Sequence, residues 1–142
     1  MHPLKFEYER VGDSFFPIIN VELIHEDKSI ITKAYVDSGA MYSIFNADLA
    51  DVLELDYKKG KKIYPLGIGG HICANINDII LKIEDAEIPC KVLFSDEFVV
   101  KFNLLGRIGL FDRFRICFDD QERSLYLYKK RLILVSIIAP KS

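Results

Sequence analysis

Apolar and polar residues alternate along much of the chain with the period of two that is typical of half-buried β-strands. In the first such segment, Leu4, Phe6 and Tyr8 alternate with charged residues. Residues 25–28 are polar or charged and separate two apolar runs, which predicts a hairpin turn. The predicted strands cover residues 4–8, 15–24, 30–36, 72–83, 88–94, 115–118 and 124–128. This pattern predicts a β-rich chain.

Two segments have helical rather than strand-like features. Asn46 is a residue type that often caps a helix N-terminus, and Leu49 and Leu53 follow it at helical spacing. Residues 46–53 are therefore predicted to form a short helix, and residues 108–114 are predicted to form another. No internal repeat, low-complexity stretch or linker divides the sequence, so we expect one all-β domain, residues 1–142, with one or two short helices.

Composition and charge narrow the function classes. With 142 residues, half of them apolar, the chain is long enough for one hydrophobic core. Its net charge of −2 gives no basic field for binding nucleic acid. The apolar segment 132–139 is far shorter than the roughly 18 residues that cross a bilayer, and the N-terminal residues have no signal-peptide core. We therefore expect a soluble, cytoplasmic protein with no nucleic-acid or membrane partner.

The cysteines and histidines favour neither a disulfide nor a metal site. Cys73, Cys90 and Cys117 are odd in number and form no Cys-x-x-Cys pair, which fits buried thiols in a reducing compartment. The three histidines are dispersed, which gives a zinc site little support. We expect no bound metal.

The strongest candidate for chemistry is Asp37-Ser38-Gly39, which follows the apolar run 30–36. A carboxylate can accept a proton from water, and two carboxylates held together share a proton because both cannot ionise cheaply. One then acts as a base on water while the other donates a hydrogen bond to a carbonyl oxygen. A hydroxyl and a glycine beside the acid allow loop hydrogen bonds and close backbone approach. The same tripeptide also occurs in plain turns, so by itself it leaves both interpretations open.

Two later segments favour the catalytic interpretation. The glycine-rich residues 67–70 lie between two predicted strands, and residues 104–107, Leu-Leu-Gly-Arg, come later still. Together with residues 37–45, in this order and at these separations, they resemble the retropepsin-like aspartic proteases, the family of retroviral proteases and their cellular relatives. The resemblance covers residues 15–130. The first predicted helix and residues 106–114 are similar to the prokaryotic members.

The resemblance implies a fold and a role for the Asp-Ser-Gly segment. The fold would be the closed β-barrel of acid proteases, with a hairpin flap. Asp37 would be the catalytic carboxylate. Ser38 would hydrogen-bond across a subunit boundary, Gly39 would lie close to the substrate backbone, and both would support the active-site loop together with Ala40.

Two other segments gain roles from the same resemblance. Ile68, Gly69 and Gly70 would lie at the tip of a mobile flap that closes over a bound peptide, where glycine allows unusual backbone angles. Gly106 and Arg107 would lie in the loop beneath the active site, with Arg107 beginning the second short helix.

The sequence departs from the retroviral pattern in one position and contains the motif once. Many retroviral members have an acid at the position of Met41, where it pairs with the later arginine, so Arg107 needs another partner. Asp119-Asp120 fits a hairpin turn better than a second catalytic motif. A pair of carboxylates therefore requires a second chain, and we expect a two-fold homodimer with Asp37 from each subunit. Residues 131–142 are an apolar C-terminal tail, which either joins the dimer interface or packs on its own core.

The function predicted in this way is that of an aspartic endopeptidase. Water activated between two Asp37 carboxylates would hydrolyse a peptide bond without a cofactor. The partner would be a peptide or protein substrate in an extended conformation, with apolar side chains preferred because Ile44 and Ile68 are apolar. Two alternatives remain open: a catalytically silent retropepsin-like domain that binds peptides or dimerises, and an unrelated β-barrel binding module in which all three motifs are turns.

Overall fold

The computed structural model describes residues 2–67, 70–97 and 102–130. The strands are β1 (Leu4–Glu7), β2 (Glu9–Val11), β3 (Ser14–Phe16), β4 (Ile18–His25), β5 (Lys28–Val36), β6 (Ile44–Asn46), β7 (Lys62–Ile63), β8 (Leu66–Gly67), β9 (Gly70–His71), β10 (Ala74–Ile83), β11 (Ala86–Ser95), β12 (Asn103–Leu105), β13 (Phe114–Asp119) and β14 (Ser124–Lys129). Two short helices accompany them, α1 (Ala47–Val52) and a 3₁₀-helix (Tyr57–Lys59). The chain is mainly β, as predicted.

Six of the strands close into a barrel. They neighbour one another in the ring order β4, β5, β12, β6, β11 and β10, and β10 pairs again with β4. Each of the six strands is therefore hydrogen-bonded on both sides. β7 pairs with the first two residues of β10. β1, β14 and β13 form a separate antiparallel sheet in that order. The predicted closed β-barrel is confirmed.

The hydrophobic core fills this barrel. Every barrel strand contributes at least one side chain that is no more than 2% exposed. Examples taken in ring order are Leu23, Val36, Leu105, Phe45, Phe94 and Leu81. Because side chains alternate between the two faces of a strand, the period-two pattern of the sequence delivers these residues to one interior.

The predicted strands are present, with one division that the pattern did not indicate. Residues 15–24 were expected to form one strand, but Pro17 separates β3 from β4. Proline has no backbone N–H to give to a ladder, so it marks the point where the chain leaves one sheet for another. β3 pairs with β2 around the turn at Gly12 and Asp13, which forms a small N-terminal hairpin outside the barrel.

Of the two predicted helices, the first is confirmed and the second is wrong. The side-chain oxygen of Asn46 accepts a hydrogen bond from the backbone N–H of Asp48 and caps α1, as its residue type predicted. Ile108 and Gly109 instead form isolated β-bridges with Tyr42 and Gly106, and residues 110–113 form turns that lead into β13. Gly109 has a φ of +110°, which is incompatible with a right-handed helix, so Arg107 begins no helix either.

Two of the predictions concern residues that the structure does not describe. The predicted apolar tail, residues 131–142, and Ile68 and Gly69 of the predicted flap lie outside the described residues. Among the residues that are described, no helix is both long and apolar enough to cross a membrane.

The three cysteines are free thiols with different exposures. Cys73 and Cys90 are half-buried, whereas Cys117 is exposed, so the expectation of uniformly buried thiols is wrong for Cys117. Cys117 lies on β13, where Arg115, two residues before it and on the same face of the strand, is exposed as well.

We expect Cys90 to be the slowest of the three thiols to react with iodoacetamide. Burial raises the pKa of Cys90 to about 11, and the neighbouring Arg113 only partly offsets this. At pH 8 roughly one thiol in a thousand would be ionised, and the thiolate is the reactive form. Mass spectrometry of the native protein during alkylation measures each rate. Equal rates for Cys90 and Cys117 would contradict the described burial.

Candidate active site

Asp37 lies immediately after the last residue of β5, where the chain turns out of the barrel. Its backbone N–H donates to the carbonyl of Leu105 at 3.0 Å, and its own carbonyl accepts from the N–H of Ala40 at 3.2 Å. The N–H of Gly39 donates to Asp37 Oδ1 at 2.8 Å. The half-buried carboxylate is therefore held in one orientation by the loop that follows it, which we call the Asp37 loop (residues 37–40).

The Asp37 loop is placed by a parallel pairing between distant strands. β12 runs parallel to β5, with Leu104 beside Tyr35 and Leu105 beside Val36. Parallel strands bring their carboxyl ends to the same edge, so Gly106 and the residues after it meet the Asp37 loop there. The sequence contained both segments, but nothing in their local pattern indicated that they pair.

Gly106 lies directly beneath the loop. A Cβ atom at this position would be 2.4 Å from the carbonyl oxygen of Tyr42 and 2.6 Å from that of Ala40. These contacts are with backbone atoms, which cannot rotate away as a side chain can. Only glycine allows this close approach of Gly106 to the backbone of Ala40 and Tyr42.

Arg107 supports the Asp37 loop by donating hydrogen bonds to two of the loop's backbone carbonyl oxygens. Its guanidinium Nε donates to the carbonyl of Ser38 at 3.2 Å, and its backbone N–H donates to the carbonyl of Ala40 at 2.9 Å. Next to it, the N–H of Ile108 donates to the carbonyl of Met41 at 2.9 Å. The partner of Arg107 in this chain is thus a carbonyl oxygen, since Met41 carries no carboxylate for an ion pair.

Ser43 is a supporting residue that was not included among the predicted site residues. Its fully buried hydroxyl accepts a hydrogen bond from the N–H of Gly106 at 3.0 Å and donates to the carbonyl of Ile108 at 2.9 Å. It therefore joins the strand after the Asp37 loop to the segment beneath it. In the sequence, the feature that could have identified Ser43 is a hydroxyl residue within the apolar run that follows Asp-Ser-Gly.

The glycine-rich segment forms a hairpin. β8 and β9 are antiparallel, with Leu66 paired with His71 and Gly67 with Gly70. At its base, the N–H of Ile72 donates to the carbonyl of Pro65 at 3.2 Å. Leu66 is 76% exposed, which leaves an apolar side chain available for contacts outside the chain.

An open groove of about 710 Å³ adjoins the Asp37 loop. Asp37 and Ser38 contribute to its lining, as do the β2–β3 hairpin and the turn between β13 and β14. Ile44, by contrast, is only 7% exposed and packs against Ala74 and Leu93. The expectation that Ile44 sets an apolar substrate preference is therefore wrong, because its side chain contributes to the core.

No arrangement of three His, Cys, Asp or Glu side chains that could hold a metal ion occurs in residues 2–67, 70–97 and 102–130.

Two solved structures share this architecture. A retropepsin-like aspartic protease from Rickettsia conorii is 21% identical, with a TM-score of 0.58, and the match covers 87% of this chain and 97% of that one. EIAV protease complexed with the inhibitor HBY-793 is 19% identical, with a TM-score of 0.52, and the match covers 70% of this chain and 88% of that one. This chain has the retropepsin-like fold.

The fold bears on the hypothesis of an unrelated β-barrel module. The match to a retropepsin-like structure over 87% of this chain favours the retropepsin-like barrel over any other β-barrel. No protein-family model matches the sequence, and no curated protein matches it. At identities near 20%, the likeness between these structures is one of fold.

Proposed function

We propose that this chain is an aspartic endopeptidase that hydrolyses peptide or protein substrates. The observation that carries the proposal is the Asp37 loop: a half-buried carboxylate at the end of a barrel strand, oriented by the N–H of Gly39 and supported from below by Gly106 and Arg107. Two of the solved structures that are similar to this chain are described as proteases, which adds support.

The proposed active site contains two copies of Asp37. The sequence has a single Asp-Ser-Gly, so the second carboxylate comes from another subunit of a two-fold homodimer. Two carboxylates in contact share a proton, since like charges at short distance cannot both ionise cheaply. Ser38 would hydrogen-bond between the two Asp37 loops, and Gly39 and Ala40 would leave space for the substrate backbone.

The proposed reaction needs no covalent intermediate and no cofactor. The ionised carboxylate of the pair removes a proton from water, and the water oxygen attacks the peptide carbonyl carbon. The protonated carboxyl gives its proton to the carbonyl oxygen, which forms a tetrahedral intermediate. This intermediate collapses when the C–N bond breaks and the nitrogen takes a proton, which releases an acid and an amine.

The hairpin β8–β9 is proposed to act as the flap. Ile68, Gly69 and Gly70 would close over an extended peptide and exclude water from the reaction. Backbone hydrogen bonds to a strand-like substrate would provide affinity that does not depend on its side chains.

Incubation of the purified protein with a peptide library, followed by mass spectrometry of the products, tests this function. We expect cleavage at a limited set of peptide bonds, and inhibition by a peptide in which a hydroxyl-bearing carbon replaces the scissile carbonyl, since it imitates the tetrahedral intermediate. A folded protein that binds these peptides and cleaves none would instead support the catalytically silent alternative.

The dimer leads to a separate prediction. Over a concentration series, sedimentation velocity should detect a species of twice the 16.3 kDa chain mass, and activity per chain should fall on dilution as this species dissociates. The fraction of dimer and the activity per chain, each plotted against chain concentration, should have the same midpoint, because a single subunit contains one Asp37. Full activity per chain from a protein that remains monomeric at every concentration would contradict the paired mechanism.

We also propose a reducing, cytoplasmic location, since the three cysteines are unpaired in the fold.

A further inference from the structure

The groove beside the Asp37 loop has a wall that the barrel does not provide. It consists of the N-terminal hairpin β2–β3, including Asp13 and Phe15, and of residues 118–123 at the turn between β13 and β14, including Asp120 and Arg123. These two segments are about a hundred residues apart in the sequence, and each extends beyond the six-stranded ring. The groove that they form with Asp37 has a volume of about 710 Å³, enough for at least one large side chain.

This wall is held together by specific contacts. The backbone N–H of Tyr8 donates to the carbonyl of Arg123 at 2.7 Å, and the Tyr8 hydroxyl donates to Asp120 Oδ1 at 2.7 Å. The guanidinium carbon of Arg123 lies 3.9 Å from the centre of the Phe15 ring. Tyr8, the residue before β2, thus contacts the turn at two points, and Phe15 of the hairpin contacts it at a third, which leaves the groove preformed before any ligand binds.

The lining combines aromatic rings with an excess of carboxylates. Asp13, Asp37 and Asp120 set against Arg123 give three negative charges and one positive charge, a formal total of −2. The single positive charge already contacts Phe15. Phe118 is 40% exposed and provides a hydrocarbon surface in the same groove.

Tyr8 keeps the Asp120 carboxylate in place. Burial and the neighbouring Asp120 raise the pKa of Tyr8 well above its ordinary value, so its hydroxyl stays protonated and continues to donate. Only Oδ1 of Asp120 is engaged by this bond. In the part of the chain that the structure describes, Oδ2 has no hydrogen-bond partner and is available to a ligand.

We propose that this groove is a substrate subsite that selects a basic side chain, arginine or lysine, close to the bond that is cleaved. The aliphatic stem of that side chain would lie against Phe118, and its cationic group would donate to Asp120 Oδ2. An aromatic ring and a carboxylate favour a cation together, through the ring quadrupole and a charge-assisted hydrogen bond. This inference rests on the proposed function, since it assigns a specificity to the same active site.

The test uses peptides that differ in a single charge. Arginine and its neutral isostere citrulline are placed in turn at each position on both sides of a cleaved bond, and kcat/KM is measured for every pair. We expect one position at which the arginine peptide is cleaved roughly ten times faster than the citrulline peptide, the effect of one partly solvated charge-assisted hydrogen bond.

The Asp120→Asn variant tests whether the preference for arginine comes from the groove. Asparagine retains an oxygen that can accept from Tyr8, so the wall should keep its structure while the charge is lost. The preference at that position should fall to roughly threefold or less, with the citrulline peptide cleaved as before. Asp27→Asn, an exposed residue in the β4–β5 turn, removes an equal charge away from the groove and should leave the preference unchanged. If Asp120→Asn does not fold, Asp120→Ser, which also removes the charge and keeps an oxygen that can accept from Tyr8, provides the same comparison.

The outcomes separate this inference from the proposed function. Cleavage of the peptides without an arginine preference at any position, or an equal loss in Asp27→Asn and Asp120→Asn, would overturn the subsite and leave the protease intact. A folded parent protein that cleaves neither peptide of any pair would overturn the proposed function, and the subsite with it.

Discussion

Replacement of Asp37 by asparagine should reduce kcat/KM for peptide hydrolysis roughly 10³- to 10⁴-fold, the upper range for loss of a general acid–base group. Asparagine can neither accept a proton from water nor share one with its partner. Its side-chain oxygen can still accept the hydrogen bond that the N–H of Gly39 donates at 2.8 Å. The variant should therefore fold like the parent and bind peptides while failing to cleave them. The unfolding temperature and the peptide affinity of the variant, measured together with its kcat/KM, show whether it folds and binds peptides without cleaving them.

Asp27→Asn is the matched control for this substitution. Asp27 is an exposed acid in the turn between β4 and β5, so its replacement removes the same charge without a change at the Asp37 loop. Its kcat/KM should equal that of the parent. Equal activity in the parent and in a folded Asp37→Asn protein would remove the assignment of Asp37 as the catalytic residue.

Mixing the parent with Asp37→Asn tests whether the two carboxylates come from different chains. After random exchange of equal amounts, about a quarter of the dimers would contain two intact Asp37 residues. Total activity should then fall to about half of that of the same amount of parent alone. Activity that is unaffected by the mixing would mean that each chain works independently.

Gly106→Ala should lower the free energy of unfolding by about 3 kcal/mol, the upper end of the usual cost of overpacking. The new methyl group would lie 2.4 Å from the carbonyl oxygen of Tyr42 and 2.6 Å from that of Ala40. Because both are backbone atoms on the chain that leaves the Asp37 loop, either the loop or β12 must move. Activity should fall with stability, since the movement displaces the loop that orients Asp37.

Urea unfolding at a fixed chain concentration measures this effect, and Gly12→Ala is its control. Gly12 has a φ of +62°, so alanine there should cost about 1 kcal/mol of backbone strain. Apart from Gly12 and its two chain neighbours, no heavy atom of the described residues lies within 4 Å of the position of its Cβ, so the steric part of the cost is absent. If the two alanine variants lose equal stability, the close packing described beneath the Asp37 loop would be incorrect.

Local residue patterns predicted much of the fold because their physical causes are local. Alternation of apolar and polar side chains follows directly from strand geometry, and it located β4, β5, β10, β11, β13 and β14 to within a few residues. The cap at Asn46 depends on one side chain and the N–H two residues later. The same approach failed for residues 108–114, where the positive φ of Gly109 depends on contacts with distant residues. There, a Cβ on Gly109 would lie 2.9 Å from Ser43 Oγ.

The amino-acid sequence was enough to predict most of the elements of this protein and its candidate chemistry: a strand followed by Asp37-Ser38-Gly39, a glycine-rich hairpin, a later Gly-Arg pair and a single copy of the acid. Which of these elements meet became known from the three-dimensional fold. The parallel pairing of β5 with β12, the Ser43 hydroxyl between Gly106 and Ile108, and the groove between Asp37 and Asp120 join residues far apart in the chain. Side-chain periodicity records which face of a strand is buried, whereas the choice of partner strand depends on closing the whole barrel, and no single segment contains that information.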